Sequence, residues 1–482
     1  MQKGFFAKLK DHNSVVHKLM TYGVALVCLL FAILKTPGKE HLSSSVGTYL
    51  IVFILYYTIV SKRILETLLW ACAIGVAMLS GTSFVSGFQD QIYATMASGD
   101  FAWIVLMCCF LNVFNKLLTK TGSLFSFSKI VRKRVNDKKG LNLATWLMQF
   151  PLFFDDYMTI AIGGNIMGPM YDELDVPREE GAYLIHTLAE PLRVLLPITS
   201  WAAFMGGLFA SGGLNADGTG MHAFFRSIPY NFYAIVSVIG TLLFSLGVLP
   251  RVGAMKRPMP EEYEEFEVLE SEKTDGKHGT LVDFFLPIAA MLVAAYFFNF
   301  DIVPAMLLIL PLTAGYYLIR GIIDTDDVEA ALVDGFADFM SLIILFLASY
   351  MLNDVLSNLG YVDYLAGIVG ASISPKLLPV AIYVLFCLSE CIMSLNWGLL
   401  LIAFPMLLPV ATSIGANPYL TAAAMISAGC FGCNMCYICD YTMLTSSVFG
   451  LKAAHHADTC VPYSVCFAVI SGILFLIAGL VL

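Results

Sequence analysis

The chain has 482 residues, 58% of them hydrophobic and 13% charged, with a mean hydropathy of +0.78. These values exclude a soluble protein and belong to a multi-spanning membrane protein. The net charge of −9 says little about partners, because much of the acidity sits in one stretch, EEYEEFEVLESEKTD at 261–275.

The opening MQKGFFAKLKDHNSVVHKLM lacks the pattern of a cleaved signal and reads as a cytoplasmic, partly amphipathic lead-in. Apolar runs then recur at Tyr22–Leu34, Val46–Val60, Ile64–Phe88, Ala102–Leu118, Tyr230–Leu249, Val282–Phe298, Ile302–Ile319, Phe339–Leu352, Leu377–Val410 and Val461–Leu482. With polar, broken segments between them, this predicts an all-α polytopic fold of roughly 11–13 crossings. Residues 1–250 read as a first half, 251–280 as an acidic cytoplasmic linker and 281–482 as a second half.

Lys and Arg cluster in KGFFAKLK, in SKR at 61–63, in KIVRKRVNDKKG at 129–140 and in RVGAMKR at 251–257, which places all four on the cytoplasmic side. The acidic YDELDVPREEG at 171–181 is then expected outside. If 212–226 is outside too, the stretch 182–210 between them is a re-entrant hairpin or a heavily broken helix.

Polar side chains at membrane depth are costly and face a cavity or a partner, so they locate the function. In WLMQFPLFFDDYMTIAIGGNIMGPM at 146–170, Asp155 and Asp156 are adjacent carboxylates, suited to hard cations and to protons. Helical spacing puts Thr159 on the face of Asp155.

In AYLIHTLAEPLRVLLPITSWAAF at 182–204, His186, Glu190 and Arg193 share one helical stripe, with Ser200 further on. Pro191 and Pro197 free the carbonyls near Thr187 and Arg193 to accept from a ligand or bind a cation. Glu190 and Arg193 read either as a recognition pair or as a structural ion pair that neutralises itself.

The segment LSECIMSLNWGLLLIAFPMLLPVA adds Glu390, Ser394 and Asn396. After it, CFGCNMCYICDYT at 430–442 carries Cys430, Cys433, Cys436 and Cys439, which on a continuous helix rise about 13 Å and cannot meet on one metal ion. They read as free thiols that let helices approach closely, and no transition-metal site or cofactor is expected. Asp440 is the residue to watch there, and it could share a ligand with Thr442 only where the backbone is unwound, which Gly429, Gly432 and Asn434 favour. His455 and His456, in KAAHHAD, read as a solvated or pH-responsive loop.

The halves are weakly alike: DDYMT at 155–159 pairs with CDYTM at 439–443, TSW at 199–201 with LNW at 395–397, and IPYNFYAIV at 228–236 with VPYSVCFAVI at 461–470. Paired repeats with broken helices near the midplane are a plan of secondary transporters.

Through FFDDY (153–157), 182–201, NWGLLLIAFPMLLPVA (396–411), CDYTMLTSS (439–447) and VPY (461–463), the chain from about Ala102 onward resembles the NhaC family of sodium/proton antiporters in the ion transporter superfamily. The resemblance implies two inverted repeats with re-entrant hairpins, in a bacterial inner-membrane carrier that exchanges Na+ for H+ or couples either to an organic solute. It departs from the family pattern at Thr159, where Asn is usual, at His186, where Asp is usual, and at Glu190 and Arg193, where small residues stand. Cys433 stands in place of an acid, Cys436 and Cys439 in place of serines, and Tyr441 in place of a threonine.

Two classes of transport follow. In cation/proton antiport, Asp155, Asp156 and Asp440 bind Na+ when ionised and H+ otherwise, with Thr159 and Thr442 completing the coordination. In a coupled solute carrier, Arg193 holds a carboxylate and Glu190 or Glu390 an amine, with His186, Ser200 and Asn396 as further substrate or gating candidates. An intramembrane enzyme is disfavoured, since neither Gly-x-Gly-Asp nor His-Glu-x-x-His occurs. The expected partners are the lipid bilayer, small ions and an organic solute, with a homodimer left open and no nucleic acid.

Overall fold

The computed structural model describes residues 15–35, 46–61, 63–122, 135–150, 152–153, 156–197, 199–214, 219–256, 279–298, 301–393, 397–437 and 439–482. The acidic stretch 261–275 lies outside them. All regular structure among the described residues is helical.

The first part of the chain forms α1 (Val24–Lys35), α2 (Gly47–Ser61), α3 (Ile64–Ser80), α4 (Phe84–Met96) and α5 (Gly99–Lys120). Next come α6 (Lys138–Met148), α7 (Asp156–Glu173), α8 (Arg178–Leu195), α9 (Ser200–Ser211), α10 (Gly220–Ser227) and α11 (Phe232–Ser245). The second part holds α12 (Leu281–Phe297), α13 (Ile302–Ile319), α14 (Thr325–Asn358), α15 (Tyr361–Ser372), α16 (Leu378–Met393), α17 (Trp397–Ser413), α18 (Pro418–Met435), α19 (Asp440–Val448) and α20 (Ala453–Val481). Among the described residues, 6 helices are long and apolar enough to cross a membrane, or 8 if two bent pairs each count as one span.

Helix starts follow local chemistry. Asp324 and Asp327 close a capping box on α14, and Thr280 with Asp283 closes one on α12. Asn417 caps α18 just before Pro418, which starts a helix well because its missing N–H would have no partner there.

The outer helices show apolar side chains such as Phe31, Ile319 and Val481 on their surfaces, as lipid contact requires, while α8 and α18 are enclosed almost throughout. Small residues permit that enclosure. A Cβ on Gly164 would lie 2.2 Å from Val448 Cγ1, so the glycine is what lets α7 close on α19.

The structure corrects the expected sidedness of residues 171–181. Glu180, fully buried at the start of α8, accepts from Lys138 Nζ at 2.9 Å and Asn142 Nδ2 at 2.9 Å, and pairs directly with Arg251. Lys138 and Arg251, one from each of two basic clusters, therefore lie at the same end of the bundle as the acidic segment. The reason is length: α6 has 11 residues, which span about 16 Å, roughly half of the hydrocarbon core. The chain enters through α6 and returns through α7 to the same end, where Lys138 and Arg251 pair with Glu180 and Arg178 pairs with Asp172.

The stretch 182–210 is a broken helix rather than a hairpin. α8 and α9 do not pack side by side, and they are joined by residues that begin and end in extended backbone, Leu196 (φ −103°, ψ 137°) and Thr199 (φ −143°, ψ 166°).

The second half repeats this order, with α17 and α18 followed by a break between Cys436 (φ −72°, ψ 136°) and Cys439 (φ −72°, ψ 157°) and then α19. α8 and α18 each have 18 residues before the break. This register matches TSW at 199–201 with CDY at 439–441, and it sets Asp156, at the start of α7, against the residues just before α17. The expected pairing of DDYMT with CDYTM and of TSW with LNW is thus out of register. Short matches of apolar and small residues are frequent in such a chain, whereas the cap positions are set by where the helices stop.

Candidate functional site

Both breaks are built the same way. In the first, the Thr199 hydroxyl accepts from the Ala202 amide at 2.9 Å and donates to the Arg193 carbonyl at 3.1 Å. In the second, the Cys439 sulfur accepts from the Thr442 amide at 3.4 Å and donates to the Cys433 carbonyl at 3.3 Å. Each residue is an N-cap that also closes the end of the preceding helix.

Two residues beyond each cap, an aromatic donor reaches the same carboxylate. Trp201 Nε1 donates to Asp156 Oδ2 at 2.7 Å, and the Tyr441 hydroxyl donates to the same oxygen. Asp156 is buried and is itself the first residue of α7. The N-termini of α7, α9 and α19 therefore converge on one carboxylate, and their partial positive charges favour an anion there.

Arg193 holds this arrangement together. Its guanidinium donates to the Leu152 carbonyl at 3.1 Å, to the Ala189 carbonyl and to the Thr159 hydroxyl, while that hydroxyl donates to Leu152 at 2.6 Å. Of the two readings of Glu190 and Arg193, the ion pair does not form: the guanidinium turns to carbonyls and Thr159, and the buried Glu190 carboxylate receives no N–H or O–H donor among the described residues. The thiols of Cys430 and Cys433 stand beside it.

The carbonyls freed by the prolines are not open to a ligand. Asn434 Nδ2 donates to the Thr187 carbonyl at 3.2 Å, and Thr199 fills that of Arg193. Protein donors compete successfully because the breaks bring polar side chains within reach of them.

His186 extends the network to α20. Its Nε2 lies 3.2 Å from the Cys433 carbonyl, its Nδ1 2.8 Å from His456 Nε2, and its ring stacks at 7° on Tyr441. His456 is fully buried within α20, and His455 lies 3.1 Å from Glu179. The reading of KAAHHAD as a solvated loop is corrected, since α20 begins at Ala453 and turns these side chains toward α8.

Among the other predicted residues, Asp440 is exposed at the start of α19, where its Oδ1 accepts from the Tyr441 amide at 3.1 Å. Thr442 is buried and donates to the Cys436 carbonyl at 2.6 Å. Glu390 is buried on α16 beside Cys387 and Cys391. Asp155 and Asn396 lie outside the described residues, as does the side chain of Ser200.

Sequence reasoning missed Trp201, Tyr441 and Cys460, whose Sγ lies 3.9 Å from His186 Nδ1. The signal for the first two was the like spacing of Trp201 from Thr199 and of Tyr441 from Cys439.

A family model described as the Na+/H+ antiporter family matches residues 192–480, which include both breaks, both aromatic donors and all but the last residue of α20. The chain belongs to this family. A Haemophilus influenzae protein described only as uncharacterized is 25% identical over 470 aligned residues, covering 87% of this chain and 88% of that one.

Two solved structures share the fold. The YdaH transporter of Alcanivorax borkumensis, reported to have an unusual topology, superposes with a TM-score of 0.58 at 10% identity, over 87% of this chain and 97% of that one. MtrF of Neisseria gonorrhoeae, described as illuminating a class of antimetabolite efflux pumps, gives 0.53 at 12% identity, over 94% and 97%. This antiporter-family chain is a membrane secondary transporter, with the NhaC-type family and helical fold that its motifs imply.

Proposed function

We propose that the chain exchanges Na+ for H+ across the bacterial inner membrane, with its N-terminus in the cytoplasm and Asp156 as the exchanging carboxylate. The observation that carries this reading is the meeting of three helix N-termini and two aromatic donors, one from each break, on Asp156. A carboxylate so placed takes either a hard cation or a proton, and exchange follows when only the loaded carrier reorients. Because Trp201 and Tyr441 come from different breaks, a shift of the backbone at either break changes the surroundings of Asp156.

Asp155 is the neighbouring acid in this scheme, and exposed Asp440 draws cations toward the site. Thr159 and Thr442 supply hydroxyl oxygens while their protons go to the Leu152 and Cys436 carbonyls.

A second reading, a Na+- or H+-coupled carrier of an amino acid or small carboxylate, draws on Glu190, a buried acid beside the Cys430 and Cys433 thiols with no N–H or O–H donor among the described residues. Its other element is weaker, because Arg193 is engaged with two carbonyls and Thr159.

Purified protein in proteoliposomes loaded with a pH-sensitive dye separates the two. Proton movement on adding Na+, K+ or Li+ alone is expected for antiport. Silence with cations, followed by Na+-dependent flux when one amino acid or carboxylate is added, would replace antiport by coupled solute transport.

A further inference from the structure

His186, His456 and Cys460 form a group that the exchange scheme leaves unused. All three are buried, and one donor atom from each lies within 4.8 Å of the other two. His456 and Cys460 share a face of α20, one turn apart, and His186 reaches them from α8. We propose that His186 Nδ1, His456 Nε2 and Cys460 Sγ bind a borderline-soft transition-metal ion, Zn2+, that ties α8 to α20.

The distances are close to what the ion needs. A tetrahedral Zn2+ sets two nitrogens about 3.3 Å apart and sulfur about 3.6 Å from each, from bond lengths near 2.05 and 2.3 Å. Here the nitrogens are 2.8 Å apart, and Sγ lies 3.9 Å from His186 Nδ1 and 4.0 Å from His456 Nε2. Movements of about half an ångström convert one arrangement to the other.

The tautomers agree as well. The Cys433 carbonyl can only accept, so His186 Nε2 carries the proton and Nδ1 presents its lone pair to the group. A carbonyl holding the far nitrogen of a histidine is the usual outer support of a metal ligand. His456 Nε2–H then donates to His186 Nδ1, and His456 Nδ1 is left buried without a partner.

On binding, the Cys460 thiol loses its proton to solvent, and the His456 proton moves from Nε2 to Nδ1. One proton is released per ion, and the site carries one positive charge. Asp440 lies within electrostatic reach of His186 to offset it. The Thr187 hydroxyl, beside Cys460, can donate to the thiolate. Water takes the fourth position, since the three protein ligands leave one corner open.

Because the group is enclosed, the metal is supplied during expression. Protein from cells grown with added Zn2+ is purified, dialysed and assayed by elemental mass spectrometry, and a parallel culture receives Co2+. The expected result is about one equivalent of metal per chain and, with cobalt, a near-ultraviolet thiolate-to-metal charge-transfer band. Cys460→Ser should abolish that band, and His456→Gln should lower retained Zn2+ by roughly tenfold or more. Cys391→Ser and Cys466→Ser, at exposed thiols, should change neither.

Wild-type protein without retained metal, or metal retained undiminished in Cys460→Ser, would overturn the proposal and leave a hydrogen-bonded histidine pair. If the variants do not express, the wild-type cobalt spectrum decides, since bound cobalt without the charge-transfer band excludes the thiolate. None of these readings involves transport, so they stand or fall separately from ion exchange.

Discussion

The two breaks have nearly the same backbone and very different side chains. Where α8 carries His186, Glu190 and Arg193, α18 carries Ile426, Cys430 and Cys433 in the same register. Each break still ends in a cap that reaches back to a carbonyl, and each presents an aromatic donor two residues later. The shared features are those that stop and restart a helix. The differing ones are those that can bind something, and they are concentrated in the first half, with small thiol residues opposite to make room for them.

The sharpest test of that division sets Asp156 against Asp440. Asp156→Asn is expected to abolish Na+-driven proton movement in proteoliposomes while the protein remains in the membrane. Asp440→Asn, which removes an exposed carboxylate, should retain exchange with weaker apparent cation affinity. The reverse order would move the exchange site to the second break.

Next are the two donors. Trp201→Phe and Tyr441→Phe each remove one hydrogen bond to Asp156, and a bond to a charged group contributes about 1.5–3 kcal/mol, or roughly 10- to 100-fold in affinity. Similar losses of Na+ affinity in the two variants are expected if the halves contribute alike. A loss in only one would show that one half alone governs the site.

Arg193→Gln should act mainly on the fold. It leaves the Leu152 and Ala189 carbonyls without their charged donor, at roughly 2–4 kcal/mol, seen as a lower melting temperature in detergent. Unchanged stability with altered solute preference would instead return Arg193 to substrate recognition.

The smallest effects are at the caps. Thr199→Ala should cost about 1 kcal/mol of thermal stability, whereas Cys439→Ser should change it by less than about 0.5 kcal/mol, since a hydroxyl replaces a weaker sulfur acceptor. A large loss in Cys439→Ser would mean that the thiol has a role beyond capping.

Composition and apolar run length determined that this is a helical membrane protein, because a bilayer admits few other solutions for a chain so poor in charge. Polar residues inside those runs marked where function lies, since each must be matched by a partner or a cavity. Asp156, His186 and Arg193 were legible on that ground, and so was the existence of the breaks, from Pro191, Pro197 and the glycines near Cys433.

The identity of partners was decided only by the tertiary structure. Helical spacing left a self-neutralising Glu190–Arg193 pair as one of two readings, yet Arg193 turns to the carbonyl of Ala189 on its own helix and to that of Leu152, which comes within reach only where the segment before α7 meets α8. Charge counting put residues 171–181 outside, yet Glu180 closes on Lys138 and Arg251. His456 read as part of a solvated or pH-responsive loop, and Cys460 drew no reading, until α20 packed against α8. Periodicity orders side chains around one helix, but the hydrogen bonds and ion pairs that settle a buried charge come from other helices, distant in sequence, and their approach depends on glycines such as Gly164 and on where each helix stops.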